Sequence, residues 1–168
     1  MQKDIDIIIY GATGFTGQLC VKYFQSLNTD VNWAIAGRDQ DKLQKVASDN
    51  SVDVEMLIAD SDDEVALDIL TSRAKVILST TGPFHRYGSK LVASCVKNSA
   101  NYVDITGENF WVKGLIAKHH EEASAKGIRI IPSCGYDSIP SDLGVFYSAK
   151  VLNKPIKRIE SFHSWEGG

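Results

Sequence analysis

The stretch from Ile5 to Gly17, Ile-Asp-Ile-Ile-Ile-Tyr-Gly-Ala-Thr-Gly-Phe-Thr-Gly, constrains the fold more than any other, because an apolar β-branched run ends there in three glycines spaced three apart. Ile5, Ile7, Ile8 and Ile9 are too continuously apolar for a strand with one wet face, which places the run inside a parallel sheet covered by helices. Leu19, Tyr23, Phe24 and Leu27 follow at helical spacing and are expected to face that sheet. A glycine-rich turn between a buried strand and a helix aims free backbone N–H groups and the positive end of the helix dipole at one spot, which suits a pyrophosphate. Gly11 permits the tight turn, Gly14 lets the backbone approach phosphates without an intervening Cβ, and Gly17 lets helix and strand pack closely. The spacing is G-x-x-G-x-x-G rather than the commonest dinucleotide fingerprint, and a tight turn without a nucleotide is the other reading. The strand before it, the helix after it and the N-terminal position favour the dinucleotide. Thr13, Phe15 and Thr16 lie in the same loop and are assigned with Gly11, Gly14 and Gly17 to cofactor binding.

The length of 168 residues suits one domain with a little left over, and 43% apolar residues are ordinary for a folded chain. A net charge of −3 with scattered Lys and Arg gives no basic surface for nucleic acid. No apolar run approaches a membrane span, and the N-terminus enters a strand rather than a signal peptide, so a cytoplasmic setting is expected. Cys20, Cys95 and Cys134 are odd in number and outside any CxxC pair, which indicates neither a disulfide framework nor a zinc site.

Asn32–Arg38 reads as a second strand. An acidic residue at its end would hydrogen-bond the ribose of NAD; here Gly37 leaves room and Arg38 brings a planar cation able to grip a 2′-phosphate. Lys42 stands one helical turn further on. NADP is therefore expected rather than NAD, with solvated surface charge as the alternative for Arg38 and Lys42. Asp39 is the expected cap of a helix to Ser48 with Leu43, Val46 and Ala47 inside. Val54–Ala59 is a third strand, and Asp60 after it suits either the adenine amino group or the cap of a helix from Asp62 to Leu70. Ala74–Thr80 is a fourth strand, so Thr80, Gly82 and Pro83 should run beside the nicotinamide half of the cofactor. A helix from Tyr87 to Asn98, with Leu91, Val92 and Cys95 inside, leads to a fifth strand, Ala100–Ile105. A helix from Phe110 to Ala125 follows; its His119 and His120 point about 100° apart, are expected in solvent, and form no metal site. Gly127 ends that helix, and Ile128–Pro132 is a sixth strand. Repeated strand–helix alternation is the pattern of an α/β, doubly wound parallel sheet. Ser133–Gly144 reads as a polar, rigid connection at the same carboxyl edge as the glycine loop.

Five blocks now stand in order: Gly-Ala-Thr-Gly-Phe-Thr-Gly from Gly11, Ala-Gly-Arg to Arg38, Thr-Gly-Pro-Phe with Tyr87-Gly88, Tyr-Val-Asp-Ile-Thr-Gly-Glu to Glu108, and Cys-Gly-Tyr-Asp-Ser-Ile-Pro-Ser-Asp-Leu-Gly from Cys134. Together they resemble the N-terminal domain of saccharopine dehydrogenase-like oxidoreductases, a group that includes bacterial trans-acting enoyl reductases. The resemblance spans nearly the whole chain. It implies a Rossmann-type NAD(P)-binding domain, residues 1–150, followed by a substrate-side domain of which residues 151–168 would be only the start. Lys157–Trp165 alternates as a strand should and would open that second domain. The chain is then a piece of a longer protein or a shortened relative, expected to bind cofactor and to be inactive alone. An unpartnered strand of this kind makes a homodimer an expected possibility.

The leading functional expectation is hydride transfer between NADP and a C=N or C=C bond of a small-molecule or acyl substrate, the cofactor carrying the chemistry. His85, Tyr102, Tyr136 and Asp137 are candidates to face the nicotinamide, but none is assigned a catalytic role. Two alternatives stand beside it. One makes Cys134 a nucleophile, as in semialdehyde dehydrogenases, and needs an activating histidine; the other is a non-catalytic NADP sensor.

Overall fold

The computed structural model describes residues 3–27, 29–152 and 154–164. The glycine turn joins β1 (Ile5–Tyr10) to α1 (Phe15–Ser26); β2 (Trp33–Gly37), α2 (Gln40–Asp49), β3 (Glu55–Ile58) and α3 (Glu64–Arg73) complete the first half. The second half holds β4 (Ala74–Ser79), α4 (Phe84–Tyr87), α5 (Ser89–Lys97), β5 (Asn101–Asp104), α6 (Asn109–Ala125), β6 (Ile130–Ile131) and α7 (Ile139–Leu152). Six parallel strands pair in the order β3-β2-β1-β4-β5-β6, as the alternation of apolar strands and helices implies. The strand order reverses between β1 and β4, and ligands of such sheets bind in the crevice that opens at the carboxyl ends there.

Strand periodicity distributes β1 between two cores. Ile8 and Tyr10 join Leu67, Leu70, Leu91, Val92 and Tyr102 on the face covered by α3, α5 and α6. Ile9 joins Val21, Ile35, Leu43 and Val46 under α1 and α2. Each such side chain contributes about 1.5–3 kcal/mol through burial, so the run of isoleucines anchors both layers at once.

The structure rotates α1 away from the expected orientation. Phe24 packs against the sheet as expected, but the other inward residues are Gly17, Cys20 and Val21, while Leu19, Tyr23 and Leu27 face outward. The cause is Gly17: a Cβ there would stand 2.2 Å from the Gly11 carbonyl oxygen, so only its bare Cα face fits the strand. With Gly17 turned in, Leu19 lies roughly 200° around the helix. Other differences are local. Asp63, not Asp60, caps α3 by accepting from Val65 and Ala66 N–H. The helix expected from Tyr87 to Asn98 starts at Ser89 as α5, Gly88 separating it from the short α4, with Leu91, Val92 and Cys95 buried as expected. The polar connection is shorter than read, since α7 begins at Ile139 and buries none of its residues. Residues 157–164 pair with no described strand, and Trp165 lies outside the described residues. Alternation alone supplies no hydrogen-bond partner for a backbone, and no strand among the described residues stands beside this segment.

The two orientations of leucine give a direct check. Leu43→Ala at a fully buried position should cost about 2–5 kcal/mol in urea denaturation, whereas Leu19→Ala, 53% exposed, should stay within about 0.5 kcal/mol of the parent. Equal losses would show that α1 does not sit in this rotation.

Candidate functional site

The crevice is built from the glycine turn outward. Gly11 has φ +87°, in the left-handed region open to glycine. Its N–H and that of Ala12 both donate to the Ala36 carbonyl, which ties the turn to β2. Gly14 N–H donates to the Gly11 carbonyl, so the chain folds back tightly into α1. No side chain caps α1 at Gly14, which leaves its first-turn amides and dipole facing the opening. A Cβ on Gly14 would meet only the Gly11 carbonyl at 3.4 Å, and beyond it lies open space. The first glycine thus makes the turn, the last packs, and the middle one keeps a cradle clear.

From the other side comes the turn after β4. Thr80 N–H and Oγ1 both donate to the Tyr10 carbonyl, and Oγ1 also reaches the Gly11 carbonyl at 3.1 Å. A Cβ on Gly11 would stand 2.3 Å from Thr81 Oγ1, so this turn seats directly on the bare glycine. Thr81 Oγ1 is buried with no hydrogen-bond partner among the described residues. An orphan hydroxyl of this kind costs about 1–3 kcal/mol, and Thr81 is among the residues that line the crevice. The resulting crevice, about 260 Å³, is lined by Gly11, Thr13, Gly14, Arg38, Thr80 and Gly82 among the residues expected from sequence. Tyr10, Gly37, Ser61, Thr81 and Tyr87 line it too. Ser61 and Tyr87 were not legible as lining because their positions depend on where α3 and α4 begin.

Other expected residues stand differently. Gly17 is buried under the turn, and Phe15 and Thr16 sit on the first turn of α1 outside the lining. Lys42 is outside the lining, ion-paired with Asp39 at 3.2 Å; Asp39 caps α2 as expected by accepting from Lys42 N–H. Asp60 accepts from Asp62 N–H in a local turn, and its neighbour Ser61 takes the lining position. His119 is buried, contrary to expectation, because α6 turns it onto the sheet side with Leu115 and Ala123; burial holds its imidazole below the usual range. No cluster of metal-binding side chains occurs among the described residues, and none of their helices is long and apolar enough to cross a membrane.

Carboxylates fasten the neighbouring loops. Asp104 Oδ1 accepts from Thr106 and Ser133 N–H, and Oδ2 from Tyr102 Oη at 2.8 Å. The fully buried Tyr102 is thereby structural. Burial pushes the Asp104 carboxyl up despite these bonds. Burial also pushes the Cys134 thiol up, with the Asp104 charge adding to it, and no described histidine bonds to Cys134, which removes support for a nucleophilic role. Glu108 accepts from Phe84 N–H and from His85. Burial pushes its carboxyl up, but the hydrogen bonds from His85 and Phe84 outweigh this and hold it below the usual range.

Asp104 generates a pH test. A carboxyl raised on folding stabilises most below its unfolded pKa of about 3.9, and that contribution is lost as pH rises through the folded value. Relative to Asp104→Asn, the parent should therefore lose stability as the pH is raised above about 4 in thermal melts. A constant difference above that pH would show that the carboxyl is not shifted.

The family described as saccharopine dehydrogenase NADP binding domain matches residues 7–131. The trans-acting enoyl reductase of Mycobacterium leprae (strain TN) is 39% identical over 148 residues, covering 86% of this chain and 35% of the relative. The saccharopine dehydrogenase-like oxidoreductase of Mus musculus is 35% identical over 176 residues, covering 96% of this chain and 41% of the relative. The chain therefore spans well under half of these relatives. Among solved structures, apo saccharopine dehydrogenase (L-Glu forming) from Saccharomyces cerevisiae aligns with a TM-score of 0.70 at 19% identity, covering 89% of this chain and 31% of that one, a likeness of fold. With the family matched across most of its length and relatives above 30% identity, the chain belongs to the saccharopine dehydrogenase NADP-binding domain family.

Proposed function

We propose that this chain is the NADP-binding part of an oxidoreductase that moves hydride between the dinucleotide and a C=C or C=N bond of a small-molecule or acyl substrate. The observation that carries the reading is the crevice at the β1–β4 reversal, where the open face of Gly14, the uncapped start of α1 and the orphan Thr81 hydroxyl converge. These groups fit a pyrophosphate and a polar nicotinamide half. Arg38, exposed at the end of β2 and lining the same crevice, fits the 2′-phosphate. When bound, the dinucleotide supplies or takes the hydride; the chain binds it, orients it and limits the access of water. A trans-acting enoyl reductase and a saccharopine dehydrogenase-like oxidoreductase among the relatives support the reductive class and leave both bond types in the reading. The substrate-side domain and the pairing of two copies belong to the same proposal.

Fluorescence titration with both reduced cofactors tests it. NADPH should bind more tightly than NADH, and Arg38→Ala should weaken NADPH about 10–100-fold, the loss of about 1.5–3 kcal/mol of charge-assisted hydrogen bonding, with NADH little changed. Thr81→Val should leave the melting temperature unchanged or raised while weakening NADPH. Gly14→Val should abolish binding in a folded chain. Equal affinities for the two cofactors in the parent, or unchanged NADPH affinity in folded Gly14→Val, would sink the reading.

A further inference from the structure

Glu108 follows β5 by four residues and reaches across to the turn after β4. Its Oε1 accepts from Phe84 N–H at 2.8 Å and its Oε2 from His85 N–H at 2.7 Å. Oε2 also lies 2.6 Å from His85 Nδ1. Holding the first turn of α4 accounts for the two backbone bonds and leaves the third unexplained, since those amides are satisfied wherever the imidazole points. An ionised carboxylate only accepts, so the ring nitrogen facing it carries the proton. The neutral ring is thereby fixed as the Nδ1–H tautomer with the lone pair on Nε2, and the charged ring presents Nε2–H. Phe110 packs against the ring at 5.5 Å between centroids and restrains its rotation. No hydrogen bond or ion pair engages Nε2 among the described residues, and the side chain is 51% exposed. His85 is not itself in the crevice lining; it stands in sequence between Gly82 and Tyr87, which are, at the carboxyl edge to which the proposed function assigns the nicotinamide half.

We infer that His85, oriented by Glu108, is the proton-exchanging residue of this site, acting through Nε2 on the atom of the substrate double bond that does not receive hydride. This rests on the NADP-dependent reading above. When bound, the reduced dinucleotide supplies hydride to one carbon of the C=C or C=N bond. The π electron pair passes to the other atom, which bonds to the proton of Nε2–H as that bond breaks and its electron pair returns to the ring. The neutral ring keeps Nδ1–H on Glu108 and regains a proton from water at exposed Nε2. The oxidative direction runs the same transfers in reverse. A group placed in this way accelerates such a step about 10²–10⁴-fold. Glu108 is a positioning residue that sets which nitrogen is available.

Two-bond ¹H–¹⁵N spectra of the ¹⁵N-labelled 168-residue chain, with His85 assigned through His85→Gln, test this without requiring turnover. At alkaline pH, where its ¹⁵N shifts report a neutral ring, the parent should show His85 as Nδ1–H, and Glu108→Gln should shift it to mixed tautomers. The parent spectrum decides the tautomer should that variant fail to fold. Added NADP⁺ should shift the Gly11–Gly17 amides and give an NOE from the nicotinamide protons to the His85 ring. If the glycine amides shift but His85 is an Nε2–H tautomer or gives no NOE, the proton-exchange role is overturned while the cofactor reading stands. If NADP⁺ shifts neither the amides nor the ring, the cofactor reading fails and this role falls with it.

Discussion

The architecture hangs on the close approach of Gly17 to Gly11. A Cβ on Gly17 would stand 2.2 Å from the Gly11 carbonyl oxygen and 2.8 Å from Ala12 Cα, both backbone atoms that cannot swing aside. One missing methyl group therefore sets both the distance and the rotation of α1 against the sheet. Rotation sends Val21 into the core. Distance leaves Gly14, nearly one helical turn earlier, on the rim rather than under the helix. Everything that makes the crevice attractive to an anion follows from that placement: aligned amides, the positive dipole end and the absence of a side chain. The tie from Gly11 and Ala12 N–H to the Ala36 carbonyl holds the arrangement to β2, so the turn is braced on both sides.

Buried strands were legible in the sequence because continuous apolar runs bounded by turn residues have few other uses. The glycine triplet was legible for the same reason, and so was the N-cap Asp39, whose carboxylate has a local target in Lys42 N–H. The face of α1 was misread since Leu19, Tyr23 and Leu27 look like an inner stripe by hydrophobicity, whereas a steric limit at Gly17 decides the rotation. Periodicity records what a helix prefers to bury and carries no record of how close a neighbour must come. His119 was misread in the opposite sense: a polar residue on the inner side of α6 is accommodated by neutralising it, which no local pattern announces. Lining by Tyr87 and Ser61 depends on α4 and α3 starting where they do, a matter of caps rather than of composition.

Polar function in this fold gathers at strand ends, because the inner strands β1, β2, β4 and β5 are largely buried, unlike the edge strands β3 and β6. The loops there need fastening, and two acids on or just after β5 provide it. Asp104 holds the strand-to-loop turn at Thr106 and the entry to the segment before α7 at Ser133, and Glu108 holds the turn after β4 at Phe84 and His85. Each is partly desolvated, and each satisfies several donors at once. The difference lies in what remains outside: Asp104 is closed in by Tyr102, whereas Glu108 terminates on an imidazole that still faces water. The same device, a carboxylate gripping backbone amides, thus gives a staple in one place and an oriented proton-bearing group in the other.

The charges at the end of β2 decide which dinucleotide the proposed site prefers. Arg38 is followed directly by Asp39, and an acid so near would repel a phosphate if its charge were free. It is not free. The Lys42 backbone N–H, then the Lys42 side chain, hold the Asp39 carboxyl below its usual range, and the Lys42 ammonium lies 3.2 Å away. Lys42 is therefore occupied in neutralising Asp39 from outside the crevice lining, and in the proposed site it would favour a phosphate only by that route. Capping also aims the Asp39 carboxylate at the start of α2, where the helix dipole favours it. Arg38 lines the crevice with no ion pair among the described residues, so in the proposed site its guanidinium is the charge that an incoming phosphate would meet. A ribose hydroxyl offers that cation a neutral partner and a 2′-phosphate offers it a bidentate anionic one, which is the physical basis for preferring NADP at this position.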